Sequence, residues 1–394
     1  MADAQLLLLG TVTAIVPARP DFGLRTGAVI SAVLLLLRLR SIRLHRADVF
    51  AITYAALAVA SITWARNDSV TTLGVKNTVA CVVLFLTVRT VTRRRRDLRG
   101  LALGLLVGCG IGLWLLWQEN PFTRQLRFQY DNDAARVGIE GLNYNALAYA
   151  FATGAAVAVL LWLTVEDTQR RRIATVASAA TLIAIWGGVL LNGTRGAVVA
   201  MALLLAWLLA SMLNPRRAFH WLVGVVLVAN AAVFAGWLDS WLRTSTARSV
   251  RETGDLNGRL QIWPFAREQF WNHPFLGHGV DGVIALPGNP LDIAAHNALL
   301  DIGVGLGFAG IALFVATIWE SLAETGAWRS PRRYRAVGAF VAVSAPVTLS
   351  GYWSESPVFW IALALFSRLP VVAGQNATAE PVWSRPQKDE TTGP

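Results

Sequence analysis

Long apolar runs separated by short polar connections make up most of this sequence. Twelve runs can be distinguished, and most are long enough to cross a hydrocarbon core, which takes about 20 helical residues. They lie near residues 5–17, 26–38, 48–64, 74–91, 98–117, 143–165, 173–192, 196–213, 219–238, 298–319, 336–350 and 356–371. The first two are short for a complete crossing. The pattern predicts an all-α, polytopic integral membrane bundle of about twelve transmembrane helices.

The composition supports a membrane protein and excludes an ordinary soluble one. The 394 residues are 55% hydrophobic and 15% charged, with a mean hydropathy of +0.48. The net charge of +11 would also suit a nucleic-acid partner. However, the arginines cluster in every second connection, as expected for loops on the cytoplasmic side. These clusters lie at residues 38–46, 93–96, 170–172, 216–217 and 329–335. We therefore expect both termini inside and no nucleic-acid partner.

Two of the remaining connections, which this topology places outside, are long. Residues 118–142 form one, and residues 239–297 form the other. The second carries Leu260, Trp263, Ala266 and Phe270 at helical spacing, which predicts an amphipathic helix lying along the outer membrane face.

The domain organisation is predicted to be simple. Residues 1–372 form one transmembrane domain, and the polar residues 373–394 form a disordered cytoplasmic tail. The first apolar run is expected to be a retained helix, because it lacks the basic start and small-residue cleavage site of a secretory signal.

Cysteines and histidines give no sign of a metal site. Cys81 and Cys109 lie inside apolar runs, so neither a disulfide framework nor a thiolate site is indicated. Three histidines fall on the predicted outer side: His273, His278 and His296. They lack the ligand number and spacing of a zinc site. We predict no metal.

A short turn separates two of the apolar runs and carries a candidate anion site. Residues 192–196 read Asn-Gly-Thr-Arg-Gly, in which Thr194 can cap the following helix and Arg195 enters its first turn. A helix N-terminus attracts anions, and a guanidinium adds a bidentate donor. The alternative is an arginine that extends to the lipid headgroups.

The two long connections supply further candidates. Arg136 and Arg259 could contact a phosphate or could be ordinary surface arginines. Lys76 lies about one turn inside its helix, where it could line a cavity or extend to the interface. His296 ends the second connection at the membrane surface, where it could act as a general base for a hydroxyl acceptor.

The motifs around His296 resemble the O-antigen ligase and polymerase superfamily. His296-Asn297, nine residues, Gly307, two residues and Gly310 fit its H-[NSQ]-x9-G-x-x-[GTY] pattern. Upstream, a run resembling the family's R…W…P…G-x-G pattern contains Arg259, Trp263, Pro274, Gly277 and Gly279. The turn at 192–196 is similar to the family's S/T-R-G turn.

The resemblance implies an enzyme that moves a glycan from a polyprenyl diphosphate carrier to an acceptor hydroxyl. It implies a bacterial cytoplasmic (inner) membrane protein, acting on the outer face without metal or nucleotide cofactors, with inversion at the sugar. The partners would be the carrier-linked donor and a lipid or glycan acceptor. His296, Arg195 and Arg259 are the expected catalytic residues. Substrate binding is assigned to Arg136, Asn297, Trp263 and Lys76.

Two alternatives remain open from the sequence. A polymerase of the same superfamily would use another carrier-linked repeat as its acceptor, and the motifs do not separate it from a ligase. A transporter of lipid-linked glycans would also use arginines in a helical bundle. It should show paired repeats and interrupted helices near the midplane, and neither is evident in the sequence.

Overall fold

Helices account for the regular structure of this computed structural model. It describes residues 2–118, 144–165, 168–237, 259–326, 330–351 and 353–369. These residues form fourteen α-helices and two short 3-10 turns, and no strand occurs among them. Arg136 and the predicted tail, residues 373–394, lie outside the described residues.

The helices follow one another with short connections, except around the second long connection. The first nine are α1 (Ala2–Ile15), α2 (Pro20–Leu37), α3 (Arg46–Ala60), α4 (Asp68–Val91), α5 (Arg95–Gln118), α6 (Tyr144–Leu163), α7 (Thr168–Asn192), α8 (Arg195–Leu213) and α9 (Pro215–Phe234). The long connection contains α10 (Arg259–Asn272) and α11 (Gly282–Ala285). The last three are α12 (Ala298–Ala323), α13 (Pro331–Ser350) and α14 (Pro357–Ser367).

The prediction of a polytopic all-α membrane bundle is confirmed. Each of the twelve predicted apolar runs coincides with one helix, namely α1 to α9 and α12 to α14. Within the described ranges, nine helices are long and apolar enough to cross a membrane. Of the other three, α1 and α14 are shorter, and α13 begins with three arginines in its first five residues.

Asparagine side chains mark where several helices begin. The side-chain oxygens of Asn67, Asn214 and Asn297 each accept a hydrogen bond from a backbone N–H in the first turn of α4, α9 and α12. Such caps satisfy donors that would otherwise have no partner at a helix start. The positions where these helices enter the bundle are therefore encoded locally.

Helix α14 lies at the centre of the bundle. Every one of its residues from Pro357 to Ser367 is buried, and it packs against α4, α12, α13 and α6. Trp360 makes an edge contact with Phe85 at 5.5 Å between ring centroids and is stacked near Tyr54 at 6.2 Å. A helix that is apolar on all sides is a core element, which explains how a helix of 11 residues holds its place.

A buried ionic cluster ties four helices together near one end of the bundle. Arg89, only 2% exposed, donates to Asp48 on α3 at 2.6 Å and to Glu324 after α12 at 2.7 Å. Its remaining terminal nitrogen donates to Ser367 on α14 at 2.6 Å. A charge buried in this way must be paired, and removing one partner would leave an uncompensated ion. The cluster therefore fixes the relative positions of α3, α4, α12 and α14.

Helix α12 is interrupted, although no interrupted helix was evident in the sequence, and the loop after α10 fills the break. Gly307 has φ +64° and ψ −163°, values outside the helical region. The loop supplies the missing partners: the N–H groups of His278 and Gly279 donate to Val304 and Gly305, both at 2.8 Å. In return, the N–H of Phe308 donates to Pro274 at 2.7 Å. Non-helical backbone inside a bundle is stable only when its polar groups are paired in this way.

The glycines of the two motifs are required by this pairing. A β-carbon on Gly307 would overlap the backbone of Phe275, and one on Gly277 would lie 2.5 Å from the Val304 carbonyl oxygen. Both residues also have positive φ, which glycine adopts without strain. Gly277, in the loop after α10, and Gly307, in α12, therefore lie on the two sides of one backbone contact.

Candidate functional site

His296, two residues before the first residue of α12, has an unusual backbone conformation. His296 has φ +53°, a left-handed value that residues other than glycine seldom adopt. The backbone N–H groups of the two flanking residues, Ala295 and Asn297, donate to the carboxylate of Asp301. Ala295 donates to it at 2.7 Å, and Asn297 donates to it at 3.2 Å. The backbone around the imidazole is therefore fixed by the helix that follows it.

Asn297 is the N-cap of α12 and is completely buried. Its side-chain oxygen accepts from the N–H of Leu300 at 3.0 Å. Its amide nitrogen, Nδ2, has no hydrogen-bond partner within the part of the chain that the structure describes. Buried amide donors nearly always have partners. This N–H group is thus a candidate donor to a bound molecule beside His296.

Trp263 holds the other side of the same segment. The indole is only 4% exposed, and its Nε1 donates to the carbonyl of Ala295 at 2.8 Å. With Ile262, Ala266 and Phe270 it forms the apolar face of α10, which packs on α12. The predicted amphipathic helix in the long connection is therefore present. The predicted contact between Trp263 and substrate gains no support, because the ring is already packed inside the protein.

Arg259 lies where the ends of several helices meet. One of its terminal nitrogens, Nη2, donates to the carbonyl of Ser350 at 2.5 Å, at the C-terminal end of α13. The hydroxyl of Tyr149 on α6 donates to the same carbonyl at 3.0 Å. Cations favour the C-terminal carbonyls of helices. This contact orients the guanidinium at the beginning of α10.

Arg195 begins α8 beside the same point. The next residue, Gly196, packs so closely on Ser350 and Tyr149 that a β-carbon there would lie 2.8 Å from the tyrosine oxygen and closer still to the serine hydroxyl. The predicted position of Arg195 in the first helical turn is observed, and its side chain is exposed. The helix start of α8, the end of α13 and the start of α10 thus converge on Ser350.

Thr194 does not cap α8 with its side chain, contrary to expectation. Its hydroxyl instead lies 2.5 Å from the side-chain oxygen of Asn192 and 3.3 Å from that of Asn145. Asn145 is the second residue of α6, and its competition for the hydroxyl could not be seen in the sequence. The contact places the start of α6 beside the start of α8.

The electrostatic environment favours a neutral imidazole at His296. Burial lowers the pKa of this histidine below its ordinary value of 6.5, and the positive charge of Arg259 lowers it further. Burial penalises the charged form, and a nearby cation does so too. At neutral pH the ring therefore holds a free lone pair that can accept a proton.

Lys76 stands apart from this group. Lys76 is exposed on α4, while Thr71 and Asn77 of the same helix bond inward to Val280 and Glu355. Within the described ranges, no hydrogen bond or ion pair joins Lys76 to the residues around Ser350. Exposure favours the interfacial alternative, and its substrate-binding role stays a prediction. Arg136 lies outside the described residues.

Sequence reasoning missed three residues of the site. Ser350 and Tyr149 lie inside apolar runs and carry no local signal. Asp301 could have been noticed as a carboxylate in the first turns of a helix, five residues after His296. No group of three potential metal ligands occurs among the residues that the structure describes.

Comparison with known proteins identifies the domain that contains these residues. Residues 179–315 match the family model for O-antigen ligases. This part of the chain resembles an O-antigen ligase domain. The chain is also 30% identical over 194 residues to an O-antigen ligase of Pseudomonas aeruginosa, an alignment that covers 48% of this chain and 44% of that relative. The resemblance to the superfamily is confirmed.

The matched domain contains the main elements of the site. Arg195, Arg259 and His296 all fall within residues 179–315, and so does the break at Gly307. The alignment with the Pseudomonas relative covers less than half of that protein's length. The similarity therefore concerns the segment that carries these residues and not the whole of either protein.

Proposed function

We propose that this protein is a membrane glycan ligase that transfers an oligo- or polysaccharide from a polyprenyl diphosphate carrier to an acceptor hydroxyl. The observation that carries the proposal is the geometry of the O-antigen ligase domain. A half-buried histidine in a fixed conformation lies within the electrostatic reach of Arg259, and Arg259 and Arg195 lie at helix ends that meet at Ser350.

Arg195 and Arg259, with Arg136 as a third candidate, bind the diphosphate in this proposal. The bond from the anomeric carbon to the diphosphate oxygen breaks during transfer, so negative charge develops on that oxygen. Guanidinium groups keep their charge at any relevant pH and match phosphate oxygens with two parallel donors. The N–H groups at the start of α8 add a partial positive charge at the same place. No metal ion is needed for this stabilisation.

His296 acts as the general base. The neutral imidazole accepts the proton of the acceptor hydroxyl while that oxygen attacks the anomeric carbon. The carrier diphosphate leaves from the opposite face, so the configuration at the sugar is inverted. The amide nitrogen of Asn297 can donate a hydrogen bond to the acceptor or the donor. Trp263 contributes by holding the backbone next to the histidine.

The site is proposed to face the outside of the bacterial cytoplasmic membrane. The arginine clusters of alternate connections support this orientation, since such clusters remain on the cytoplasmic side. Both native cysteines are buried, so maleimide labelling of an introduced cysteine can be detected above little labelling of the native ones. We expect Pro290→Cys to react with an impermeant maleimide in spheroplasts, and Leu44→Cys to react only after permeabilisation. Labelling of Leu44→Cys in intact spheroplasts would show that the orientation is reversed.

The arginine at the start of α8 can be tested with a conservative change. Arg195→Lys keeps the charge but loses the planar pair of donors, so we expect a loss of about 10²–10³-fold in turnover, as when one electrostatic stabiliser is removed. Turnover should be measured at saturating donor. Arg217→Lys is the matched control, because Arg217 is an exposed arginine in the first turn of α9. Near-normal turnover of Arg195→Lys would make it an interfacial arginine without a catalytic role.

Deletion of the gene in its own bacterium distinguishes a ligase from a polymerase. Without a ligase, full-length glycan should accumulate on the carrier and disappear from the final acceptor. Without a polymerase, single repeats should accumulate instead. The carrier-linked glycans can be extracted and sized by mass spectrometry. Accumulation of single repeats would replace the proposed ligase with the polymerase.

A further inference from the structure

The left-handed conformation of His296 needs an external restraint. At φ +53° the β-carbon of an L-residue crowds its own backbone, so an unrestrained chain would relax to a negative φ. Asparagine and glycine adopt this region more readily than histidine. The imidazole therefore keeps its place only if neighbouring contacts impose the conformation.

Asp301 supplies two of those contacts. It lies one turn into α12 and is only 5% exposed. One carboxylate oxygen accepts the N–H that precedes His296, at 2.7 Å, and the other accepts the N–H that follows it, at 3.2 Å. The bond from Asn297 fixes the peptide plane that follows His296, and the bond from Ala295 fixes the plane between residues 294 and 295. The plane between them, which precedes His296 directly, is held by Trp263, whose Nε1 donates to the Ala295 carbonyl at 2.8 Å.

We propose that Asp301 is a positioning residue that holds His296 in the left-handed conformation and thereby fixes where its imidazole lies. The structural part stands on the hydrogen bonds alone. The consequence for turnover rests on the proposed function, in which His296 is the base. Asp301 itself touches neither donor nor acceptor in this proposal.

The chemistry of the side chain fits this task. A carboxylate has two acceptor oxygens and can receive both N–H groups, whereas an amide has one acceptor oxygen and would turn its NH2 group towards the second N–H. The two N–H groups contact different oxygens of Asp301, so both oxygens are needed as acceptors. Asp301→Asn therefore removes one of the two acceptor oxygens with almost no change in side-chain volume.

Hydrogen exchange of the full-length protein in nanodiscs tests the structural part. In Asp301→Asn we expect the amides of residues 294–300 to exchange about 10-fold faster, the size of effect expected from losing one hydrogen-bond acceptor. Peptides from α13 and α14 should be unchanged. Asp292→Asn is the matched control, since Asp292 is an exposed aspartate of the same loop and also has positive φ, 52°. Unchanged exchange at 294–300 in Asp301→Asn would overturn the proposal.

Kinetics test the consequence for the site. We expect Asp301→Asn to lower kcat by about 10–100-fold with the KM for the donor unchanged, because only the base is misplaced. The acid limb of the pH–rate profile should also move to higher pH. In the wild type, burial and Arg259 lower the pKa of His296, and an imidazole released into solvent would return to its ordinary value. A protein that is only destabilised would contain less folded enzyme, but the acid limb of its pH–rate profile would not move.

The outcomes separate the two proposals. Faster exchange with unchanged kcat and unchanged acid limb would overturn the positioning of the base, provided that His296→Ala is inactive. Full activity of His296→Ala would overturn the proposed function and leave the exchange result standing. If Asp301→Asn does not fold, Asp301→Ser provides the same comparison, because its shorter side chain places one oxygen where the aspartate has two, and the two N–H groups contact different oxygens.

Discussion

Replacing His296 with alanine is expected to lower the rate of glycan transfer by about 10²–10⁴-fold, the usual contribution of a positioned base. Binding of the carrier-linked donor should persist, because Arg195 and Arg259 hold the diphosphate. Donor binding and turnover should be measured on the same purified variant. The wild-type rate should fall with pH only below 6.5, because burial and Arg259 lower the pKa of the imidazole from that value.

His273→Ala is the matched control for this experiment. His273 is an exposed histidine of the same connection whose ring packs against His278 at 4.4 Å, so its loss should leave turnover unchanged. A folded His296→Ala protein that transfers glycan at the wild-type rate would remove the base from the mechanism and leave only an anion site.

Gly307→Ala is expected to prevent the protein from folding stably. The residue has φ +64°, and a β-carbon would overlap the backbone of Phe275. The left-handed penalty and the steric overlap together should cost about 2–5 kcal/mol. The loop at 274–279 could then no longer pair with the break in α12. The measurement is the thermal midpoint of the detergent-solubilised protein and its yield in the monodisperse fraction.

Gly110→Ala is the corresponding control within another membrane helix. Gly110 lies in α5, where an added β-carbon would meet no neighbouring residue within 4 Å, and alanine favours a helix over glycine. We expect its thermal midpoint to be unchanged or slightly higher. A Gly307→Ala protein with a wild-type midpoint would show that the break in α12 relaxes without cost.

The helices could be predicted from the sequence because their signal is local. Each apolar run is long and uninterrupted, and caps such as Asn214 and Asn297 lie at the expected ends. The turn that begins α8 at Arg195 was predictable for the same reason. The apolar pattern concealed the break in α12, because Gly307 lies in a run of strongly apolar residues. Only its close approach to the backbone of Phe275, next to the hydrogen bond from the Phe308 N–H to the Pro274 carbonyl, shows why a glycine is needed there.

The site could be predicted only in part because its geometry depends on contacts between distant segments. The motif residues His296 and Arg259 were found by their spacing and resemblance. The carbonyl of Ser350, which orients Arg259, belongs to another helix 91 residues away. Trp263 was assigned to substrate binding, and the sequence could not show that its buried indole donates to the backbone of Ala295; the substrate-binding role stays a prediction.

The most direct test of the proposed reaction is transfer by the purified protein in lipid vesicles. The donor would be a synthetic polyprenyl diphosphate-linked glycan of defined anomeric configuration, labelled in the sugar, and the acceptor would be offered at the outer face. We predict that each transfer releases one polyprenyl diphosphate and that the new linkage has the inverted configuration. A retained configuration, or labelled sugar bound covalently to the protein, would contradict a single displacement assisted by His296.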